Sequence, residues 1–252
     1  MNARTTGRRW RPRATVRRMP KPKTVSPSAG DDEAELVAAV FAGGADVIVN
    51  NEDATVEQLL VAAALCHGDL NLIGRLDLHQ HCTAAVIDRA LQDTTSDQWD
   101  DPWFRLGVAG LWWLPLELHP RLARDSDPAV AIRMAGRWEL SEAASDILIR
   151  RGLSIRIALA ANWSLGSSVA MRCARSRSMP VRRVVALTTN HPRVLRRLLT
   201  DQDEEVVSGA ARNSRTTTDM LEMALAGTAR SDLRLVLEKH LASLRRSEAS
   251  RT

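Results

Sequence analysis

Short apolar segments with helical spacing recur roughly every 25 residues between positions 104 and 226, which is the range of repeat lengths found in helical arrays. Each segment is rich in small residues and reaches a turn position, after which a second apolar segment follows. The turn positions are separated by 26, 25, 28 and 23 residues: Leu111, Arg137, Asn162, Asn190 and Asn213. A two-helix unit of this size cannot bury its apolar stripe alone, so neighbouring units must complete the core. The pattern predicts an all-α fold, an α-solenoid of stacked helical hairpins.

Local signals agree with this helical prediction. Thr55 and Gln58 have the spacing of a capping box, which predicts a helix beginning at Val56. Asp127 before Pro128 matches an N-cap followed by proline at the first helical position. Asn at three of the five turn positions favours a left-handed residue at those helix ends. The second helices are predicted at 115–123, 141–150, 167–175, 193–200 and 217–226.

Two segments, 121–135 and 204–214, resemble the leucine-rich-repeat-variant family. Units of that family follow the type Leu-Ala-x-Asp-x-Asp-x-x-Val-Arg-x-Ala-x-Ala-x-Asn. The resemblance covers residues 104–226 and implies an all-helical solenoid related in style to HEAT repeats. The chain departs from the family at the position after Asn, which is usually Pro there. In the five units here that position holds Trp, Trp, Trp, His and Ser.

Composition changes along the chain and suggests where its parts begin. Two explanations fit residues 1–18: they are part of a disordered tail, or they are an extension upstream of a true start at Met19. A first helix is predicted at Ala34–Phe41, an exposed acidic loop at 94–102, and a closing helix at Asp232–Arg245. The predicted organisation is a disordered Arg- and Pro-rich basic tail (1–30), a helical N-terminal cap (31–102) and the repeat array (103–248).

Charge is distributed unevenly, and this asymmetry is the main functional clue. The whole chain carries +5, but residues 25–149 carry −14. Residues 150–200 contain eleven arginines and no Asp or Glu, so this stretch carries +11. An ordinary solvated face mixes both signs, so the stretch predicts a binding surface. Nine of these arginines are the candidate binding residues: Arg150, Arg151, Arg156, Arg172, Arg175, Arg182, Arg183, Arg196 and Arg197.

Three kinds of partner fit such a surface. A protein with an acidic surface is the preferred prediction, because the chain without residues 1–24 is net acidic, at −4. Nucleic acid is the alternative, with the arginines contacting phosphates as in HEAT-like proteins that hold DNA or RNA. Self-association is the third, with the −14 block of one copy facing the +11 block of another. The predicted function is a non-catalytic binding scaffold that presents residues 150–200.

Three tryptophans occupy the same position in successive units, one residue after the turn. One interpretation is a buried hydrophobic ladder between units, since tryptophan is mostly buried in proteins. The other is a row of aromatic platforms that stack bases or capture side chains of a partner. A leucine follows each of them two residues later. The tryptophans are Trp112, Trp138 and Trp163, and the leucines are Leu114, Leu140 and Leu165.

Metal binding is not predicted, although suitable ligand types are present. Cys66, His79 and Cys82 could bind zinc, but their spacing matches no standard zinc motif. The three cysteines of the chain do not form a disulfide framework, which favours a reducing, cytoplasmic location. No apolar run reaches the roughly 18 residues of a membrane helix, so no membrane partner is expected.

Enzymatic activity is also not expected, and no cofactor is predicted. The sequence lacks the Gly-x-Ser-x-Gly, phosphate-loop, Gly-x-Gly-x-x-Gly and His-Glu-x-x-His motifs. One enzymatic alternative remains. Some HEAT-like solenoids excise alkylated bases from DNA with a groove of Trp, Arg and a single Asp, and this chain has similar ingredients. Only analogy of fold supports that alternative.

Overall fold

The computed structural model describes residues 44–249, which form sixteen α-helices, one 3-10 helix and no strand. The predicted all-α fold class is therefore confirmed for this part of the chain. The helices are α1 Ala45–Val49, α2 Val56–Ala64, α3 Leu70–Asp77, α4 Ala84–Gln92, α5 Ser96–Asp100, α6 Pro102–Ala109, α7 His119–Ala123 (preceded by the 3-10 turn Leu116–Leu118), α8 Pro128–Ala135, α9 Glu142–Leu148, α10 Leu153–Ala161, α11 Ser167–Ala174, α12 Met179–Thr188, α13 Pro192–Leu198, α14 Glu204–Ala211, α15 Thr218–Gly227 and α16 Ser231–Ala249.

Side-chain capping sets about half of the helix starts. The Thr55 side chain accepts from the Gln58 amide while the Gln58 side chain accepts from the Thr55 amide, so the predicted capping box is confirmed. The Asp127 carboxylate accepts from the Ala129 amide, with Pro128 beginning α8, as predicted. The predicted tail at 1–30 and the predicted helix Ala34–Phe41 lie outside the described residues.

The segment 94–102 was predicted as a loop, and this prediction is wrong. Residues 96–100 form α5, which begins with a second capping box between Thr95 and Gln98. Trp99 on this helix packs edge-on against Phe104, with ring centroids 5.4 Å apart. The helix forms because a Thr-x-x-Gln start and one aromatic contact outweigh the acidic composition of the segment.

Alternate helices pack side by side. In one set, α6, α8, α10, α12, α14 and α16 each contact the next member; in the other, α7 contacts α9 and α11 contacts α13. Buried residues from both sets, such as Met134, Leu148, Leu159 and Leu195, form a continuous core. Among the described residues, no helix is both long enough and apolar enough to cross a bilayer.

Candidate functional site

Each helix pair from α6 to α15 has two kinds of turn, and they lie at opposite ends of its first helix. The first helices contain eight to ten residues and are therefore about 12–15 Å long. Turns within a pair carry the three predicted tryptophans, and we call that side the tryptophan end. Turns between pairs lie at the arginine end, where all nine candidate arginines lie in or beside the turns. The structure thus separates the predicted site residues into two surfaces.

The indole side chains at the tryptophan end are exposed. Trp112, Trp138 and Trp163 are 67%, 52% and 56% exposed, so burial of all three between units is the wrong interpretation. Trp138 and Trp163 touch each other edge-on, with ring centroids 4.4 Å apart. Leu114 and Leu165 are buried, so it is the leucines that pack into the core.

Buried asparagine side chains tie successive turns together at this end. The Asn162 amide nitrogen donates to the carbonyl oxygens of Ala135 and Arg137 at 2.9 and 2.7 Å, and its oxygen accepts from the Ser164 amide. The Asn213 amide nitrogen likewise donates to two carbonyl oxygens at the end of α12, at 2.8 and 3.0 Å, and its oxygen accepts from an amide in its own turn at 2.9 Å. The backbone at Asn162 has φ −74°, so the predicted left-handed conformation is wrong there. Among the described residues other than glycine, only His67 has a positive φ.

The predicted turn position Asn190 is displaced by one residue. Its side chain is exposed, and Thr189 is the residue that caps α12. Thr188 donates its hydroxyl to the Ala160 carbonyl at 2.7 Å, which replaces the link that Asn162 and Asn213 supply. The sequence pattern could not show that the turn position is Thr189 and not Asn190, because Thr and Asn side chains both bond readily to backbone groups.

The first two turns at the tryptophan end are linked to neighbouring structure by an aspartate and an arginine, where later turns use Asn or Thr. The Asp77 carboxylate on α3 accepts from the amides of Trp112 and Trp113 at 2.7 and 2.9 Å. The Arg137 guanidinium donates to the carbonyl oxygens of Leu111 and Trp112, and burial lowers the pKa of Arg137. Sequence reasoning missed Asp77, because nothing in its surroundings signals a partner 35 residues away.

A buried histidine completes the tryptophan end. His119 is fully buried, its Nε2 lies 3.3 Å from the Leu114 carbonyl oxygen, and its Nδ1 accepts from the Ser141 amide. Burial, helped by the nearby Arg137, lowers the pKa of His119 to about 4. The imidazole is therefore neutral near pH 7 and links two successive helix pairs.

Two of the candidate arginines are bonded within the protein. Arg182 is only 7% exposed and donates to both oxygens of Asp201, at 2.9 and 3.0 Å. Arg151 donates to the carbonyl oxygens of Ala123 and Asp125 at 2.9 and 2.7 Å. These guanidiniums hold turns together, so Arg182 does not belong to the accessible surface.

Two further arginines form pairs at the surface. Arg172 pairs with Asp146, and Arg183 pairs with Glu205 at 2.7 Å, all four side chains being well exposed. Such pairs are worth little in free energy, so both arginines remain available to a partner. Arg156 differs from them, because its Nε is buried and has no hydrogen-bond partner.

The remaining four candidate arginines are exposed and unpaired. Within the part of the chain that the structure describes, no carboxylate or carbonyl bonds to their side chains. Arg177, beside them, is also exposed and unpaired. These five residues are the accessible part of the arginine end: Arg150, Arg175, Arg177, Arg196 and Arg197.

The cysteine and histidine cluster is held by backbone contacts. His79 Nε2 lies 2.8 Å from the Asn51 carbonyl oxygen, and His81 Nδ1 lies 2.9 Å from that of Ala54. Burial raises the pKa of Cys66 to about 11 and that of Cys82 to about 12, so both thiols are neutral. In residues 44–249 no three His, Cys, Asp or Glu side chains lie close enough together to hold a metal ion.

A groove of about 600 Å³ adjoins the tryptophan end. Its lining includes Trp103, which is 76% exposed, together with Leu78 and Trp112. Arg133 packs closely against Gly110 in this groove, because a Cβ at Gly110 would lie 2.9 Å from a guanidinium nitrogen of Arg133. Sequence reasoning missed this groove, since α3, α6 and α8 contribute to it together.

The glycosylase alternative requires Trp, Arg and Asp in one groove. The nine candidate arginines lie at the opposite end of the helices from Trp112, Trp138 and Trp163. The groove beside Trp112 is nevertheless also lined by Trp103, Arg133 and Asp77, and the Asp77 carboxylate in it accepts from two backbone amides. Comparison of the chain with protein-family models, with curated proteins and with solved structures found no match.

Proposed function

We propose that this protein is a non-catalytic binding scaffold, whose arginine end binds an acidic surface of a partner protein. In this proposal α6–α16 form a short α-solenoid of the HEAT-like type. The side-by-side packing of alternate helices supports that architecture. The three cysteines are free and buried, which fits action in a reducing compartment such as the cytoplasm.

The observation that carries this proposal is the set of exposed, unpaired guanidiniums at the arginine end. Arg150, Arg175 and Arg197 lie in or beside three successive turns between pairs, within a stretch that has no acidic residue. Like charges on neighbouring turns repel over a Debye length of about 8 Å. An anionic partner relieves that repulsion, and surface charges of this kind steer association.

The charge pattern favours a protein over nucleic acid. Asp146 and Glu205 are exposed at the same end, paired with Arg172 and Arg183. Duplex DNA presents one negative charge about every 1.7 Å, so carboxylates among the guanidiniums would face phosphates. The three predicted tryptophans, which could stack on bases, lie at the other end of the helices. A protein surface can instead place its own cations opposite Asp146 and Glu205.

The test compares two double charge reversals. Arg175→Glu/Arg197→Glu changes the arginine end, and Arg193→Glu/Arg215→Glu makes the same change in charge at the tryptophan end, where both arginines are exposed and unpaired. Each tagged protein captures partners from a nuclease-treated lysate of the source cells. We expect one acidic protein to be recovered by the wild type and by the control, and roughly tenfold less by Arg175→Glu/Arg197→Glu.

Competition decides between the kinds of partner. Added duplex DNA should leave capture of the acidic protein nearly unchanged. If DNA displaces it, or if the wild type binds DNA with a steep salt dependence that Arg175→Glu/Arg197→Glu removes, the nucleic-acid alternative replaces the proposal. A salt-sensitive dimer mass in light scattering, lost in the same variant, would instead identify a second copy as the partner.

A further inference from the structure

The arginine end contains two equivalent buried ion pairs. Arg105 and Arg182 each occupy the fourth position of a first helix, α6 and α12. Each donates Nε and Nη2 to the two oxygens of an Asp in the turn after the second helix. The distances are 2.6 and 3.2 Å to Asp125, and 2.9 and 3.0 Å to Asp201.

The carboxylates in these pairs also accept a hydrogen bond from a backbone amide. One oxygen of Asp125 accepts from the amide two residues later, at 2.8 Å, and Asp201 does the same at 3.0 Å. Both aspartates are nearly buried, at 9% and 3% exposed. Each carboxylate therefore neutralises a guanidinium and also fixes its own turn.

The α10–α11 pair lacks this carboxylate. Arg156 is the fourth residue of α10, the position that Arg105 and Arg182 hold in their helices. Ser176 stands where Asp125 and Asp201 stand, because its hydroxyl accepts from the amide two residues later, that of Ser178, at 3.2 Å. Serine keeps the turn but carries no charge. The Nε of Arg156, the atom that binds Asp in the other two pairs, is buried without a partner.

We propose that Arg156 and Ser176 form a slot for a carboxylate supplied from outside the chain. A guanidinium fork matches the two oxygens of a carboxylate, and a buried donor left unbonded is costly. Among the described residues nothing accepts from the Ser176 hydroxyl, so it can donate to an incoming oxygen. Arg175 and Arg177, exposed and unpaired on either side of Ser176, attract anions to the slot.

The occupant is an Asp or Glu side chain of the acidic partner. That identification rests on the proposed function, whereas the affinity of the slot for a carboxylate does not. The slot can therefore be tested on the full chain alone, with small anions, and this test is independent of partner capture.

The experiment measures thermal unfolding of the full chain in sodium acetate, sodium phosphate and sodium chloride at equal ionic strength and pH. The wild type should melt at a higher temperature in acetate than in chloride. Ser176→Asp installs the missing carboxylate, so it should raise the melting temperature in chloride by roughly 2–6 °C and remove the acetate increment. Ser176→Asn keeps an acceptor for the Ser178 amide without the charge, and should give a smaller rise.

A second variant keeps the test independent of how well Ser176→Asp folds. Arg156→Gln removes the charge and should also remove the acetate increment, while Arg215→Gln at the other end should leave it intact. An increment that survives in Arg156→Gln, or a Ser176→Asp protein that melts lower than the wild type, overturns the proposal. An increment in phosphate but not in acetate would show a phosphate site and would also contradict it.

Discussion

At the tryptophan end, a polar side chain that is buried or partly buried links each turn to the structure before it. At the arginine end, only two of the first four helix pairs contain a buried ion pair. Asn162 and Asn213 use nearly all their hydrogen-bonding capacity inside the protein. Arg156, by contrast, keeps an unbonded Nε, and Arg175 keeps a free guanidinium. The Nε of Arg137 at the tryptophan end is also buried without a partner, but the Nη atoms of Arg137 donate to two carbonyl oxygens. The two ends therefore differ mainly in their exposed side chains, since five unpaired guanidiniums lie at the arginine end.

The largest expected effect is the loss of a completed pair at the arginine end. Asp201→Asn removes the charge that faces buried Arg182 but can still accept from the Asp203 amide. Breaking a buried pair by removing one partner costs about 3–5 kcal/mol. Urea unfolding should show this loss in the free energy of unfolding.

The exposed pair at the same end is the matched control for that variant. Glu205→Gln breaks only the surface contact with Arg183, so it should cost less than about 1 kcal/mol. Equal losses in Asp201→Asn and Glu205→Gln would mean that the two pairs do not differ in burial as the structure shows.

Lowering the pH should reduce the free energy of unfolding, because His119 at the tryptophan end becomes protonated. Its pKa is about 4 in the folded protein against an ordinary 6.5, so protons bind the unfolded chain more readily. The stability contributed by the neutral imidazole is present above pH 6.5 and is lost as the pH falls toward 4, by roughly 3 kcal/mol in total. Urea unfolding at pH 7 and pH 4.5 should show a smaller decline for His119→Gln than for the wild type. The same decline in both would remove His119 from this account.

Removing the asparagine side chain should lower the free energy of unfolding at Asn162 and Asn213, but not at Asn190. Asn162→Ala leaves two carbonyls and one amide without their partner, which costs about 1–3 kcal/mol. Asn190→Ala removes an exposed side chain and should stay within about 0.5 kcal/mol. A large loss at Asn190 would restore the turn position predicted from the sequence.

The smallest effect is expected for the exposed indoles. Trp138→Ala loses mainly its edge-on contact with Trp163, worth about 0.5–1.5 kcal/mol. Leu165→Ala, its control in the buried layer, should cost about 2–5 kcal/mol. Thermal unfolding followed by far-ultraviolet circular dichroism would compare the two. A greater loss for Trp138→Ala would show that the indoles belong to the core.

The sequence predicts features that depend on neighbours a few residues apart. Thr55 with Gln58, and Asp127 with Pro128, set helix starts by local chemistry, and both predictions are confirmed. The same signal at Thr95 and Gln98 predicts α5, but the acidic composition of that segment hid it. Local pattern therefore predicts helix starts of this kind.

The surfaces could not be predicted in the same way. Arg182 pairs with a residue 19 positions away, and Asn162 bonds to carbonyls 25 and 27 positions away. The packing of successive turns decides which arginine is hydrogen-bonded within the protein. It also decides which indole stays exposed. Charge counting located the arginine stretch, but it could not separate buried Arg182 from exposed Arg175.

The most direct test of the division between the two ends is hydrogen–deuterium exchange, on the chain alone and bound to the acidic protein it captures. We expect slower exchange on binding in the turns of the arginine end, at 149–153, 175–179 and 199–203. Slower exchange confined to the turns of the tryptophan end, at 111–115, 137–141 and 162–166, would contradict it.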